Sequence, residues 1–328
     1  MTLKYTSAVA CVLLLAMLCI ASACAVASET QVTELHAGGQ DSLYVLELLV
    51  DGEWLEEHLD DPGLTVVDYG REIEDYENGH IPGAAWLPGS ATMTQVGGTP
   101  QMLPHVESVV ASLESVGVSD GETVVVYDEA GGLWASRLFW VLEYLGHDDV
   151  RILDGGWNQW AEEERDASYE SPAIEPAFFT ARVHPERLAT FDWIIDHLDS
   201  PEFLPVDTRT LKEFTGETAK APRGGHIPEA AHLNWEWTVE DDGLGVFLPP
   251  EEIEVLLDAA GITRDHNIAT YCQAGVRAAH TYFVLRLMGF PCVRVYDGSW
   301  IEWGSHPDVP VDSDVPIDTD VPADTDAP

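Results

Sequence analysis

The strongest constraint in this sequence is an internal duplication, because a repeated pattern predicts repeated structural units. The first block recurs at an offset of 139 residues. The repeated blocks are WLEEHLD leading to VVD within 54–68 and WIIDHLD leading to PVD within 193–207, Gly-His-Ile-Pro at 79–82 and 225–228, and Asp-Gly-x-Trp at 154–157 and 297–300. The chain is therefore two copies of one module.

Within each copy, amphipathic helical segments alternate with short β-rich runs. The predicted strands are residues 64–68, 123–127 and 150–153 in the first copy, and 203–207, 267–271 and 293–296 in the second. Strands separated by helices favour a parallel sheet with helices on both faces. The predicted fold class is α/β, with two such modules in tandem.

Changes in composition predict the boundaries of the modules. We expect modules at 40–160 and 177–306, joined by a charged, proline-bearing linker at 161–176. The tail, 307–328, repeats Asp, Val and Pro without an aromatic residue. Such a segment lacks the apolar surface for a core, so we expect it to be disordered.

Residues 1–24 resemble an export signal. A single Lys4 precedes an apolar run at 8–20, which is too short for a membrane-spanning helix, and Ala-Ser-Ala-Cys follows at 21–24. Cleavage before Cys24 would leave an N-terminal cysteine for acylation. We therefore predict an exported periplasmic or cell-envelope lipoprotein anchored to the membrane by lipid. The Ala-x-Ala pattern also fits ordinary signal peptidase, so free secretion remains the alternative.

The charge balance excludes one class of partner. With 58 acidic and 15 basic side chains, the formal net charge is −43. Nucleic acids need a basic surface to neutralise their phosphates, so they are not expected partners. Any site for a small anion must be positive locally.

The two copies diverge in the loop after one predicted strand. In the second copy, Tyr271 is followed by Cys272-Gln273-Ala274-Gly275-Val276-Arg277 and then by a helix. In the first copy, Tyr127 is followed by Asp128, and the loop is one residue longer. The second copy alone places a thiol at this position.

The Cys272 loop has the features of a nucleophile in an anion cradle. A loop between a strand and a helix N-terminus presents unpaired backbone N–H groups, which favour a thiolate. Gly275 allows the loop to curl, and Arg277 adds a permanent positive charge. We predict Cys272 as the catalytic nucleophile. A disulfide with Cys292, the other cysteine of the predicted modules, would consume this thiol.

These motifs together resemble the two-domain rhodaneses, which are thiosulfate and mercaptopyruvate sulfurtransferases. The resemblance covers about residues 40–306 and rests on Asp-x-Arg at 207–209, the Cys-x-x-Gly loop, and the repeated Gly-His-Ile-Pro and Asp-Gly-x-Trp motifs. It implies two rhodanese-like modules, the first inactive and the second catalytic. It also implies that Arg209 binds substrate together with Gln273, Ala274, Gly275, Val276 and Arg277. The first-copy counterpart of Arg209 in the sequence is Gly70.

The resemblance implies covalent sulfur transfer through a Cys272 persulfide, without a metal or organic cofactor. The expected partners are a small sulfur donor, thiosulfate, and a thiophilic acceptor such as cyanide. Members specific for thiosulfate often carry Arg-Lys, and mercaptopyruvate-type members Gly-Ser, where Gln273-Ala274 stand here. Arg277 favours thiosulfate, and 3-mercaptopyruvate is the alternative donor.

Two other functions fit parts of the pattern. The Cys-x4-Arg spacing is one residue shorter than the Cys-x5-Arg loop of cysteine phosphatases, which makes that activity the least favoured. A non-catalytic sulfur-carrier or binding module would need the thiol but not turnover. His80 and His226 occur in both copies, including the copy without the thiol, so we expect structural roles for them.

Overall fold

The computed structural model of the protein describes residues 33–35 and 42–314. The predicted export signal with Cys24, and residues 315–328 of the tail, lie outside these residues. Among the residues described, no helix is long and apolar enough to cross a membrane.

The first module is a five-stranded parallel sheet with helices on both faces. It follows a short antiparallel pair, β1 (Thr33–Leu35) and β2 (Ser42–Tyr44). The elements of this module are β3 (Leu49–Val50), α1 (Gly52–His58), β4 (Leu64–Tyr69), α2 (Ile73–Glu77), β5 (Ala85–Leu87), β6 (Thr94–Val96), β7 (Thr99–Met102), α3 (Val106–Glu114), β8 (Thr123–Tyr127), α4 (Leu133–Tyr144), β9 (Val150–Leu153) and α5 (Gly156–Glu162). The strand order is β3-β9-β8-β4-β5, and β6 and β7 form a separate hairpin.

The second module repeats this arrangement. Its elements are β10 (Leu188–Ala189), α6 (Phe191–His197), β11 (Phe203–Asp207), α7 (Leu211–Phe214), β12 (Ala231–His232), α8 (Pro250–Ala259), β13 (Asn267–Tyr271), α9 (Val276–Leu287), β14 (Val293–Tyr296) and α10 (Ser299–Trp303). The strand order β10-β14-β13-β11-β12 is equivalent to that of the first sheet. The predicted α/β class with two parallel sheets is confirmed.

The central strands form because they are apolar on both faces. Residues 124–126 of β8 are three consecutive valines without solvent exposure, as expected for a parallel strand covered by helices on both sides. In β13, residues 268–271 are also buried. Both strands therefore hold the loops at their carboxyl ends on a rigid support.

The modules pack against each other through α4 and α9. The ring of Phe139 on α4 meets the ring of Phe283 on α9 edge to face, with centroids 4.9 Å apart. Buried residues of both modules form one continuous apolar cluster around these helices. The two loops that precede α4 and α9 are therefore brought to the same side of the interface.

The module boundaries differ from the predicted ones. The second module was expected to begin at 177, but residues 178–184 bond to the first module. Arg182 and His184 donate backbone hydrogen bonds to the carbonyls of Leu145 and Tyr144, at 2.7 Å each. The charged composition marked the linker, but it did not reveal this backbone pairing.

The beginning of the tail is also ordered, in contrast to the disorder predicted from residue 307. Asp312 pairs with His226 as an antiparallel bridge, and Val309 and Val311 pack against a core cluster of the second module. The first module has an equivalent bridge between His80 and Ser168. The valines of the Asp-Val-Pro repeat therefore supply enough apolar surface to dock residues 307–314.

Candidate active site

Cys272 lies at the carboxyl end of β13, immediately before α9. Its thiol is free, so the bond to Cys292 that would consume it is not formed. The residue is 2% exposed, and its sulfur accepts a hydrogen bond from the backbone N–H of Gly275 at 3.1 Å. The backbone N–H of Cys272 donates to Ser299 Oγ at 3.1 Å. The strand, the start of α9 and the start of α10 together fix the position of the sulfur.

Gly275 is required for the shape of this loop. Its φ of 88° lies in the left-handed region, and it caps the N-terminus of α9. A Cβ atom there would lie 2.7 Å from Asp297 Oδ1 and 2.9 Å from a guanidinium nitrogen of Arg137. No larger residue fits at this position without displacing that ion pair.

Cys272 opens into a cavity of about 300 Å³ that both modules line. The second module contributes Cys272, Gln273, Ala274, Val276 and Arg277, and the first contributes Gln101, Leu133 and Trp134. The cavity thus brings together the predicted loop residues apart from Gly275, which is not part of its lining. Among the residues described, no group of three or more His, Cys, Asp or Glu side chains is placed to hold a metal ion.

The three residues from the first module were not predicted from the sequence. Leu133 and Trp134 are the first-copy counterparts of Val276 and Arg277, because each pair opens the helix after its loop. Since α4 packs against α9, the two helix starts face the same cavity. For Leu133 and Trp134, the sequence feature that could have indicated this position was their equivalence to Val276 and Arg277 in the repeat.

Arg277 forms a two-pronged ion pair with a buried glutamate. Its guanidinium nitrogens lie 2.9 and 3.1 Å from the carboxylate oxygens of Glu213 on α7. Burial raises the pKa of Glu213, but the bonds from Arg277 outweigh it and hold that pKa well below its usual range. Both groups are therefore charged at neutral pH, and Arg277 is fixed at the edge of the cavity.

The structure does not bring Arg209, the other predicted substrate-binding arginine, to the cavity. Its side chain is 1% exposed, and it donates to both carboxylate oxygens of Asp207 and to the carbonyl of Gly225 at 2.6 Å. The guanidinium also stacks over the ring of Trp300 at 4.5 Å. Through these contacts, Arg209 joins α10, which contains Trp300, to β11, which contains Asp207.

The first copy has retained an equivalent arginine, contrary to the expectation that it was lost. Arg71 donates to Asp68 at 2.7 Å and to the carbonyl of Gly79 at 3.2 Å, and it stacks over Trp157 at 4.9 Å. The arginine is displaced by one residue in the sequence, next to Gly70. These contacts therefore do not depend on the presence of a thiol in the module.

In the first module, the carboxylate of Asp128 fills the cradle of loop amides. It accepts backbone hydrogen bonds from Ala130 at 2.8 Å, Gly132 at 3.0 Å, Trp134 at 2.6 Å and Ala135 at 2.9 Å. The side chain is buried, and burial raises the pKa of Asp128 against these four bonds. The Asp128 carboxylate therefore occupies the position among these amides that a bound anion would otherwise take.

His280 connects the two loops. Its Nε2 bonds to the carbonyl of Gly131 in the first loop at 3.1 Å, and its ring stacks against Phe247 at 5.2 Å between centroids. Burial lowers the pKa of His280 to about 4, so the ring is neutral at pH 7 and Nε2 carries the hydrogen. The residue at the equivalent position of α4, Arg137, donates a hydrogen bond to Asp297 of the second module at 2.5 Å.

Comparisons with known proteins agree with this geometry. A family model described as the rhodanese-like domain matches residues 51–163 and 190–306. The chain is 34% identical over 280 residues to the sulfur carrier protein TtuD of Thermus thermophilus, covering 81% of this chain and 96% of that protein. It is also 34% identical over 272 residues to a thiosulfate sulfurtransferase of Azotobacter vinelandii, covering 83% and 99%.

A solved structure with the same fold is an anaerobic ergothioneine biosynthesis enzyme from Chlorobium limicola, in complex with trimethyl histidine. The TM-score is 0.74 at 27% identity, and the match covers 82% of this chain and 71% of that one. The residues that the family model matches comprise both modules, and they include the loop with Cys272. The chain therefore belongs to the rhodanese-like family, with two such domains in tandem.

Proposed function

We propose that this protein is a thiosulfate sulfurtransferase that carries the transferred sulfur on Cys272. The observation that carries the proposal is a free thiol at the base of a cavity, contacted by a loop amide and lined by Arg277. The relative from Azotobacter vinelandii, named for this activity, supports the same donor.

The proposed reaction has two halves. The Cys272 thiolate attacks the outer sulfur of thiosulfate, the sulfur–sulfur bond of the donor breaks, and sulfite leaves with the electron pair. Arg277 and the loop amides offset the negative charge in the cavity. In the second half, cyanide or a thiol attacks the outer sulfur of the persulfide and regenerates the Cys272 thiolate.

The decisive experiment is mass spectrometry of the reduced, folded protein after incubation with thiosulfate. We expect an added mass of one sulfur atom on the peptide that contains Cys272, and thiocyanate when cyanide is added. Cys272→Ser is expected to lose turnover by at least about 10³-fold, because the covalent step is removed, while its circular dichroism stays unchanged. A folded wild-type protein that acquires no sulfur would overturn the proposal.

The donor is tested in the same assay with 3-mercaptopyruvate. Thiosulfate is expected to give the higher kcat/KM, because a dianion gains more from a fixed arginine than a monoanion does. Release of phosphate from an aryl phosphate would instead favour the phosphatase alternative.

A sulfur carrier is the second candidate, and the similarity to TtuD favours it specifically. A carrier forms the same persulfide but passes it only to a protein partner. Stoichiometric sulfur loading with turnover by cyanide or small thiols below about one per minute would favour a carrier, since ordinary enzymes turn over at about 1 per second or faster.

We also propose that the protein is exported and acylated at Cys24, on the basis of the residues around the predicted cleavage position. Labelling with a palmitate analogue is expected to mark the wild-type protein and not Cys24→Ala. Equal labelling of both proteins, or of neither, would contradict the anchor.

A further inference from the structure

The catalytic module contains a segment that the inactive module lacks. Phe214 stacks on His226 in the second module as Tyr76 stacks on His80 in the first, with centroids 3.8 Å apart in both pairs. Ten residues, 215–224, separate Phe214 from Gly225, whereas two separate Tyr76 from Gly79. The ends of this segment are equivalent in the two copies, so its additional length belongs to the catalytic copy alone.

This segment is attached to the catalytic loop. The side-chain amide of Gln273 donates to the carbonyl of Lys220 at 3.0 Å. Arg223 fixes the other end of the segment, because it donates to the carbonyls of Val309 and Trp303 at 2.8 and 3.0 Å. Lys220 is therefore held beside a residue that lines the cavity.

Lys220 and Arg277 share one carboxylate. Lys220 Nζ lies 3.2 Å from Glu213 Oε1, the same oxygen that accepts a bond from Arg277 at 3.1 Å. The Glu213 side chain is 2% exposed, whereas that of Lys220 is 55% exposed. Two cations on one carboxylate leave a net positive charge at the edge of the cavity, and about half of the lysine side chain is exposed to solvent.

Lysine is rare in this chain, so the position of Lys220 beside the cavity is significant. The chain contains three lysines, Lys4, Lys212 and Lys220, against 58 acidic residues. Gln273 and Ala274, the loop residues next to Cys272, are uncharged. A protein with a net charge of −43 repels anions at long range, so an anionic donor depends on local cations at the entrance.

We propose that Lys220 contacts the anionic group of the sulfur donor and, together with Arg277, determines the preference for a dianion. The inference rests on the proposed function, which supplies the donor and the direction of attack. Glu213 holds Lys220 next to Arg277, which lines the cavity. Segment 215–224 thereby supplies a charge that the catalytic loop lacks.

The test compares Lys220→Gln with Lys212→Gln. Lys212 is a matched control, because it is eight residues away, it is 69% exposed, and it pairs with Glu217 rather than with Glu213. For Lys220→Gln we expect the KM for thiosulfate to rise about tenfold, with kcat within about twofold, and the KM for mercaptopyruvate to rise about threefold. Lys212→Gln is expected to match the wild type, and the difference between the variants is expected to shrink at high salt.

A binding measurement separates this inference from the proposed function. Both lysine variants are made in a Cys272→Ser background, and thiosulfate affinity is measured through tryptophan fluorescence, since Trp134 lines the cavity. About tenfold weaker binding in Lys220→Gln alone supports the inference, whatever the turnover of the wild type. Equal affinity of the two variants overturns it, even if sulfur transfer through Cys272 is established.

Discussion

At the scale of single residues, the copy without the thiol helps to distinguish the side chains that serve the fold. Arg209 and Arg71 make the same three contacts, to an aspartate, to a glycine carbonyl and to a tryptophan ring, although only one module has a thiol. By contrast, the bond between Glu213 and Arg277 has no counterpart in the first module, where Trp134 stands in place of the arginine. A contact present in the catalytic copy alone is the better guide to chemistry.

Asp128 provides a test at this scale. Asp128→Ala would leave four buried backbone N–H groups without an acceptor, and each such group costs about 1–3 kcal/mol. We expect the free energy of unfolding to fall by at least about 3 kcal/mol, measured by urea denaturation.

The control for this measurement is Asp148→Ala, an exposed aspartate of the same module, whose effect is expected to stay within about 0.5 kcal/mol. Asp128→Asn keeps one acceptor oxygen and should have an intermediate effect. An Asp128→Ala protein as stable as the control would show that the four bonds do not stabilise the loop.

At the scale of elements, the sequence was most informative where local pattern determines structure. The strand at 203–207 has the predicted bounds, because its apolar residues and flanking turns suffice to define a buried strand. The Cys272 loop was also predictable from its position before a helix. Glu213 and Lys220 were not, since they approach Arg277 and Gln273 only through tertiary packing of α7 and segment 215–224. The same limit applies to Arg209, whose contacts with Gly225 and Trp300 do not follow from the Asp-x-Arg motif.

The loops after β9 and β14 connect the two modules, because each contains an aspartate that accepts a backbone hydrogen bond from the other module. Asp154 in the first module accepts the backbone N–H of Phe247 from the second at 2.9 Å, and Asp297 in the second accepts that of Leu103 from the first at 2.6 Å. Burial raises the pKa of Asp154 to about 6. An aspartate with a raised pKa binds its proton more tightly in the folded than in the unfolded state. Its contribution to the free energy of unfolding therefore falls as the pH rises from about 4 to about 6, and it is constant at higher pH.

Asp154→Asn is therefore expected to stabilise the protein at pH 7 and to have little effect at pH 4. The amide oxygen keeps the bond to Phe247, while the cost of a buried charge is removed. The measurement is the urea midpoint of variant and wild type at several pH values from 4 to 7. A difference between the two proteins that does not change with pH would contradict the role of the charge.

At the scale of the whole molecule, the net charge of −43 on 328 residues sets the response to salt. Repulsion among surface carboxylates destabilises the compact state, and salt screens it. Raising sodium chloride from about 0.05 M to about 1 M shortens the screening length to about 3 Å. We expect Tm to rise by several degrees in a thermal melt, and potassium chloride at the same ionic strength to have the same effect. A falling Tm would show that repulsion does not limit stability.

The shared wall of the cavity has a consequence for how this protein can change over evolutionary time. Leu133 and Trp134 belong to the module that has Asp128 in place of the thiol, so mutations there alter the space beside Cys272 without changing the thiol itself. Substitutions in the first module can therefore change which molecules fit the cavity, while the second module keeps Cys272. The duplication thus places part of the cavity wall in one module and the thiol in the other.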